Sequence, residues 1–120
     1  LIDINYGVIG DGDANADWMH VNSIDYNSEL DQIVISSRNM NEFYIIDHST
    51  SIEEAENHSG GLYNKGGDFL YRWGNPEVYN RGNQEDKRLY NQHDVNWIEG
   101  DYPGYGSLIL FTQSKYCLPL

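Results

Sequence analysis

The stretch Gln32-Ile33-Val34-Ile35-Ser36-Ser37-Arg38, then Asn39-Met40-Asn41, then Glu42-Phe43-Tyr44-Ile45-Ile46-Asp47 reads as strand, turn, strand. Both runs are rich in β-branched and aromatic residues, and the break between them is built on Asn, the residue type that turns need. Within the runs, Ile33-Val34-Ile35 and Tyr44-Ile45-Ile46 do not alternate with polar residues. That pattern predicts strands covered on both faces. Working outward, His20 to Tyr26 reads as a preceding strand, separated by Asn27-Ser28. Asp68 to Trp73, Asp94 to Glu99 and Ser107 to Phe111 read as later strands. Helix is scarce. The one good candidate is Ser51 to Asn57, where Ser51 caps and Glu54 stands three residues on, as in a capping box.

Short antiparallel strands in a meander, with faces that must stack on similar neighbours, predict an all-β chain. The expected architecture is the four-stranded antiparallel blade of a β-propeller. The chain then supplies one full blade and part of the next, although no exact sequence repeat marks the boundary. On this reading residues 1–19 form a leading loop, about 20–111 the blade core, and 112–120 a tail.

Charge narrows the partners. The 120 residues carry 19 acidic and 7 basic side chains, a formal net charge of −12. Duplex nucleic acid and anionic membrane surfaces are both bound through Lys and Arg, so neither is an expected partner. Leu, Ile, Val and Phe make up 28 of 120 residues, enough for a thin core in one small domain and above the composition of disorder. No apolar run approaches the roughly 18 residues of a membrane span. The lone cysteine, Cys117, excludes an internal disulfide framework and a Cys-based zinc site. Asp11, Asp13, Asn15 and Asp17 have the alternate spacing of a calcium loop. The sixth and twelfth positions of such a loop, however, hold Ala16 and Asn22 in place of Gly and a bidentate Glu, which makes a solvated turn the better reading.

Two places could carry chemistry. If Tyr26 pairs with Gln32 across a turn centred on Glu29, antiparallel partners sum to 58 and His20 faces Arg38. An imidazole beside a guanidinium makes sense around an anion such as a sulfuryl or phosphoryl group, which the planar Arg fork suits. A register displaced by one residue would instead make both of them ordinary surface groups. The second place is Gln92-His93-Asp94, a histidine at the mouth of the apolar strand Val95-Asn96-Trp97-Ile98. His93 is open to use as nucleophile, acid, base or structural residue. His48 and His58 flank a polar turn and read as structural. A Gly-rich phosphate loop, HExxH and Gly-x-Ser-x-Gly are all absent from the sequence.

Taken together, Asp17-Trp18-Met19-His20-Val21-Asn22-Ser23-Ile24-Asp25-Tyr26, Ile35-Ser36-Ser37-Arg38-Asn39, Gly67-Asp68-Phe69-Leu70-Tyr71-Arg72-Trp73-Gly74-Asn75-Pro76 and Gln92-His93-Asp94-Val95-Asn96-Trp97-Ile98 resemble the arylsulfate sulfotransferase family, over about residues 17–111. Asp47-His48-Ser49-Thr50 and Glu53-Glu54-Ala55-Glu56-Asn57-His58-Ser59-Gly60-Gly61 look like one branch of it.

The resemblance implies a six-bladed propeller that moves a sulfuryl group from an aryl sulfate ester to a phenolic acceptor, without a nucleotide donor, cofactor or metal. By motif it implies that His93 is the nucleophile that becomes sulfated. His20 is the assisting histidine and Arg38 the arginine of the site, and all three should face one cleft. It also implies a periplasmic or secreted location and small-molecule partners alone. The alternative is a propeller that binds a sulfated or glycosidic ligand without turnover. A six-bladed ring needs several hundred residues. After Leu108-Ile109-Leu110-Phe111, Thr112-Gln113-Ser114-Lys115-Tyr116-Cys117 leaves the family pattern. Both points lead to the expectation of a fragment of a longer protein.

Overall fold

The computed structural model describes residues 17–114. Of the calcium-like spacing, Asp11, Asp13 and Asn15 lie outside this range. So do most of the leading loop and residues 115–120 of the tail.

Strands β1 (Val21–Asn27), β2 (Gln32–Ser37), β3 (Glu42–Asp47) and β4 (Tyr71–Trp73) form one sheet in sequential order, and β5 (His93–Trp97) and β6 (Leu108–Phe111) form a second. Every pairing is antiparallel. The sequence therefore located all six strands. The short helix α1 (Ile52–Ala55) also carries the expected capping box, with Ser51 and Glu54 bonded reciprocally. β4 begins three residues later than the pattern suggested: Asp68 N–H closes a turn onto the Lys65 carbonyl (3.1 Å), and the segment reaches β3 at Leu70, whose N–H donates to the Ile45 carbonyl (2.8 Å). A 3₁₀ turn at Pro76–Tyr79 was not foreseen. Its signal was present in Asn75-Pro76, a capping side chain followed by a ring that fixes φ for the first helical position.

Most of the β1–β2 hairpin differs from the expected register. Asn27, not Tyr26, pairs with Gln32, and partners from Ser23 to Asn27 sum to 59. The cause is local: the Asn27 side chain accepts from the N–H groups of Glu29 (3.0 Å) and Leu30 (2.9 Å), so the turn closes one residue further along β1. A bulge between Val21 and Ser23 absorbs one residue, and Val21 then pairs with Ser37. The register expected for His20 and Arg38 is thereby restored at the strand end, where Arg38 N–H donates to the His20 carbonyl at 3.0 Å.

The first sheet has two unlike faces. On one, Val34, Phe43 and Ile45 pack against Val95, Trp97 and Leu89, with Leu70, Leu108 and Leu110 at the margin. β5 lies along β1 on this side: Val95 N–H donates to the Ser23 hydroxyl (2.9 Å) and Trp97 N–H to the Asp25 carboxylate (2.8 Å). The other face buries Tyr44 and Glu42, but leaves Ile24 and Tyr26 exposed and Ile33, Ile35 and Ile46 half-buried. Burial on both faces thus holds for β3 as far as Ile45 and only in part for β2. Tyr44 stacks on Phe69 at 4.5 Å, and the Arg72 guanidinium bonds the buried Glu42 carboxylate while lying 3.9 Å from the Tyr79 ring centre. A carboxylate fully removed from water needs such a partner. Its burial, opposed by Arg72, holds the Glu42 carboxyl above its usual range. Among the described residues no helix is long and apolar enough to cross a membrane.

Candidate active site

The β2–β3 turn, the start of β1 and the start of β5 occupy one end of the paired sheets. His20 stands just before β1 with φ +46° and its Nδ1 bonded to the Asp17 carboxylate. Arg38 follows β2 directly, held to His20 through the main chain, with Nη1 donating to Asn39 Oδ1 at 3.1 Å. Asn39 in turn donates to the Asp17 carbonyl at 2.8 Å, and Ser37 Oγ donates to the Met19 carbonyl at 2.5 Å. With Asn39 N–H also donating to the Met19 carbonyl (3.3 Å), the segments bearing His20 and Arg38 are bonded to each other at four points.

His93 opens β5. Residues on both sides of it, Asn91 (φ +46°) and Asp94 (φ +58°), are left-handed, a conformation that Asn and Asp tolerate. The Asn91 N–H is fixed by Asn41 Oδ1 (2.8 Å), and the His93 Nδ1 lies 2.9 Å from the Asn91 carbonyl. A carbonyl can only accept, so Nδ1 carries a proton and donates to it, which leaves Nε2 as the ring nitrogen that can act on a substrate.

The two histidines are therefore set up differently. His93 is a half-buried imidazole whose Nδ1 proton goes to a neutral oxygen, the state a nucleophile needs. His20 has its Nδ1 against the Asp17 carboxylate. Arg38 adds a planar cation. His48 and His58 pair with Asp31 (2.7 Å) and Asp68 (2.9 Å) elsewhere on the surface, as structural residues do.

What ties His93 to the other two is a residue whose role the sequence did not reveal. Gln92 is fully buried, and its Nε2 lies 2.8 Å from both the Ser37 and the Glu42 carbonyls and 3.2 Å from Ser36 Oγ. Its own carbonyl accepts from Asn22 Nδ2 at 2.7 Å. The only hint in the chain was its place in Gln-His-Asp. Two broad grooves of the surface lie elsewhere. One of about 740 Å³ is lined by Glu29, Trp97, Glu99, Asp101, Tyr102 and Tyr105, among others, and a neighbour of about 630 Å³ shares Trp97, Glu99 and Tyr102. Neither is lined by His20, Arg38 or His93. Both sit at the far end of β1, roughly 20 Å away over seven residues of strand.

No curated protein and no solved structure matches the chain. The model of the Arylsulfotransferase (ASST) family matches residues 3–112. The motifs that suggested this family from sequence lie inside that span, and the chain belongs to the arylsulfotransferase family.

Proposed function

We propose that the protein containing this chain transfers a sulfuryl group from an aryl sulfate ester to a phenol through a sulfated His93, with His20 and Arg38 assisting, in the site of a six-bladed propeller of which the β1–β4 meander is one blade. The carrying observation is that three segments far apart in sequence meet at one end of two packed sheets: Arg38 N–H on the His20 carbonyl, and Asn22 on the carbonyl of Gln92, next to His93. Family membership supplies the reaction class. The periplasm or the exterior, as the place of action, rests on the same resemblance.

In the first half-reaction His93 Nε2 attacks sulfur, an N–S bond forms and the S–O(aryl) bond breaks. The departing phenolate keeps the electron pair and takes a proton from His20. In the second, a phenol gives its proton back to His20 and attacks sulfur, and the N–S bond returns its pair to His93. Arg38 spans the sulfuryl oxygens as charge shifts among them, two donors of one fork against two oxygens. On a chain of net charge −12, an anionic substrate needs such a local cluster of donors.

The test uses the full-length protein with 4-nitrophenyl sulfate and phenol. His93→Ala should abolish transfer and yield no protein-bound sulfuryl group. Arg38→Lys keeps the charge and loses the fork, and should slow transfer by about 2–4 kcal/mol in the barrier. Undiminished transfer by His93→Ala would remove the covalent route, whereas absence of transfer from the unaltered protein would favour the alternative of a ligand-binding propeller.

A further inference from the structure

We propose that Gln92 is a positioning residue that sets His93 against Arg38 and His20, an inference that rests on the reading of His93 as the nucleophile. Gln92 is 0 % exposed, so it touches no substrate. Yet its side-chain amide bonds the segment that carries Arg38, and its main-chain carbonyl bonds the segment that carries His20. Nε2 meets the carbonyl of Ser37, the residue before Arg38, and that of Glu42, which opens β3 across the same turn. Ser37 itself bonds Met19, the residue before His20. The Gln92 main chain accepts from Asn22, two residues after His20. Gln92 and His93 are consecutive, so a shift of this amide moves the imidazole directly.

The contacts call for an amide nitrogen at this place. Two buried carbonyls at 2.8 Å must each receive an N–H, and one amide nitrogen supplies both. The side chain also has to reach across from β5 to the end of β2. A carboxylate of the same shape would turn donors into acceptors against three oxygens. An aliphatic side chain would take the amide donor away from two carbonyls that it meets in a buried setting, which is costly. Asn91 and Asp94, on either side of the Gln92-His93 pair, are left-handed, a conformation that Asn and Asp tolerate.

A positioning role predicts a loss in turnover that substrate binding does not share. In the full-length protein, with 4-nitrophenyl sulfate as donor and phenol as acceptor, Gln92→Leu should lower kcat on the order of 10- to 100-fold, the size expected of a misplacement near 1 Å. KM for the donor should stay within about threefold, because Arg38 and His20 keep their own bonds. Gln92→Glu, compared with the unaltered protein across pH, should recover relative activity as pH falls, since a protonated carboxyl regains one donor. That comparison carries the test if Gln92→Leu fails to fold. A Gln92→Leu protein with unaltered kcat, or a Gln92→Glu ratio independent of pH, overturns the inference. Either result alongside an inactive His93→Ala leaves the reading of His93 standing, whereas transfer surviving in His93→Ala refutes that reading itself.

Discussion

At the scale of single residues, what matters is the acceptor each histidine has found. His93 gives its Nδ1 proton to a main-chain carbonyl, while His20, His48 and His58 face carboxylates. Such pairing leaves a measurable trace away from the candidate site. Asp31 accepts from His48 (2.7 Å) and from the Tyr26 hydroxyl (2.8 Å). The His48 bond first, and the Tyr26 bond after it, hold the Asp31 carboxyl below its usual range, and the same Asp31 bond pushes the Tyr26 phenol up. A carboxyl whose pKa is lower folded than unfolded adds stability above the ordinary carboxylate pKa. That stability is lost as pH falls through the folded value, in a window below about pH 4. Asp31→Asn should therefore flatten the acid limb of the stability curve and return Tyr26 ionisation toward pH 10. Carboxyl NMR and phenolate absorbance read the two effects, and an unmoved Tyr26 titration would refute the coupling.

At the scale of elements, strand positions were readable because β-branched runs and Asn-rich breaks are local properties. Register was less so. It turned on whether the Asn27 side chain capped the following loop, and on a bulge at Asn22 that no composition signal marks. The two departures cancel at the strand end, which is why the expected facing of His20 and Arg38 survives an incorrect sum in the middle. Another constraint of this scale is Gly74, just after β4, at φ +135°. An added Cβ would stand 2.2 Å from the Asn41 carbonyl oxygen and 2.9 Å from Leu89 Cδ1. Backbone cannot yield as a flexible side chain can, so Gly74→Ala should destabilise by about 2 kcal/mol or more. Urea denaturation checks it, and a change within 0.5 kcal/mol would show that the β2–β3 turn shifts freely. The same turn carries Arg38 and meets Gln92, so the substitution should also depress turnover.

At the scale of the whole molecule, the two sheets share one core and leave one face of the first sheet partly open. Phe43 is 6 % exposed inside the core cluster, while Ile24 on the other face is 66 % exposed. Phe43→Ala should cost about 3–5 kcal/mol and Ile24→Ala less than about 0.5 kcal/mol. Denaturant midpoints of the two variants provide the comparison. A large loss from Ile24→Ala would show that this face is covered by a further part of the protein.

The sequence by itself determined the strand positions, the capped helix, the all-β class and the family, because each rests on residue types at short spacings or on ordered motifs. The tertiary structure alone decided which face of the first sheet is packed, since alternation is absent from Ile33-Val34-Ile35 and Tyr44-Ile45-Ile46 and cannot choose a side. It also decided that Glu42 is buried against Arg72 and that Gln92 bonds the end of β2 and the start of β3, 50 to 56 residues before it in the chain. A buried polar side chain is specified by the partners that fold around it, and those partners are not neighbours in the chain.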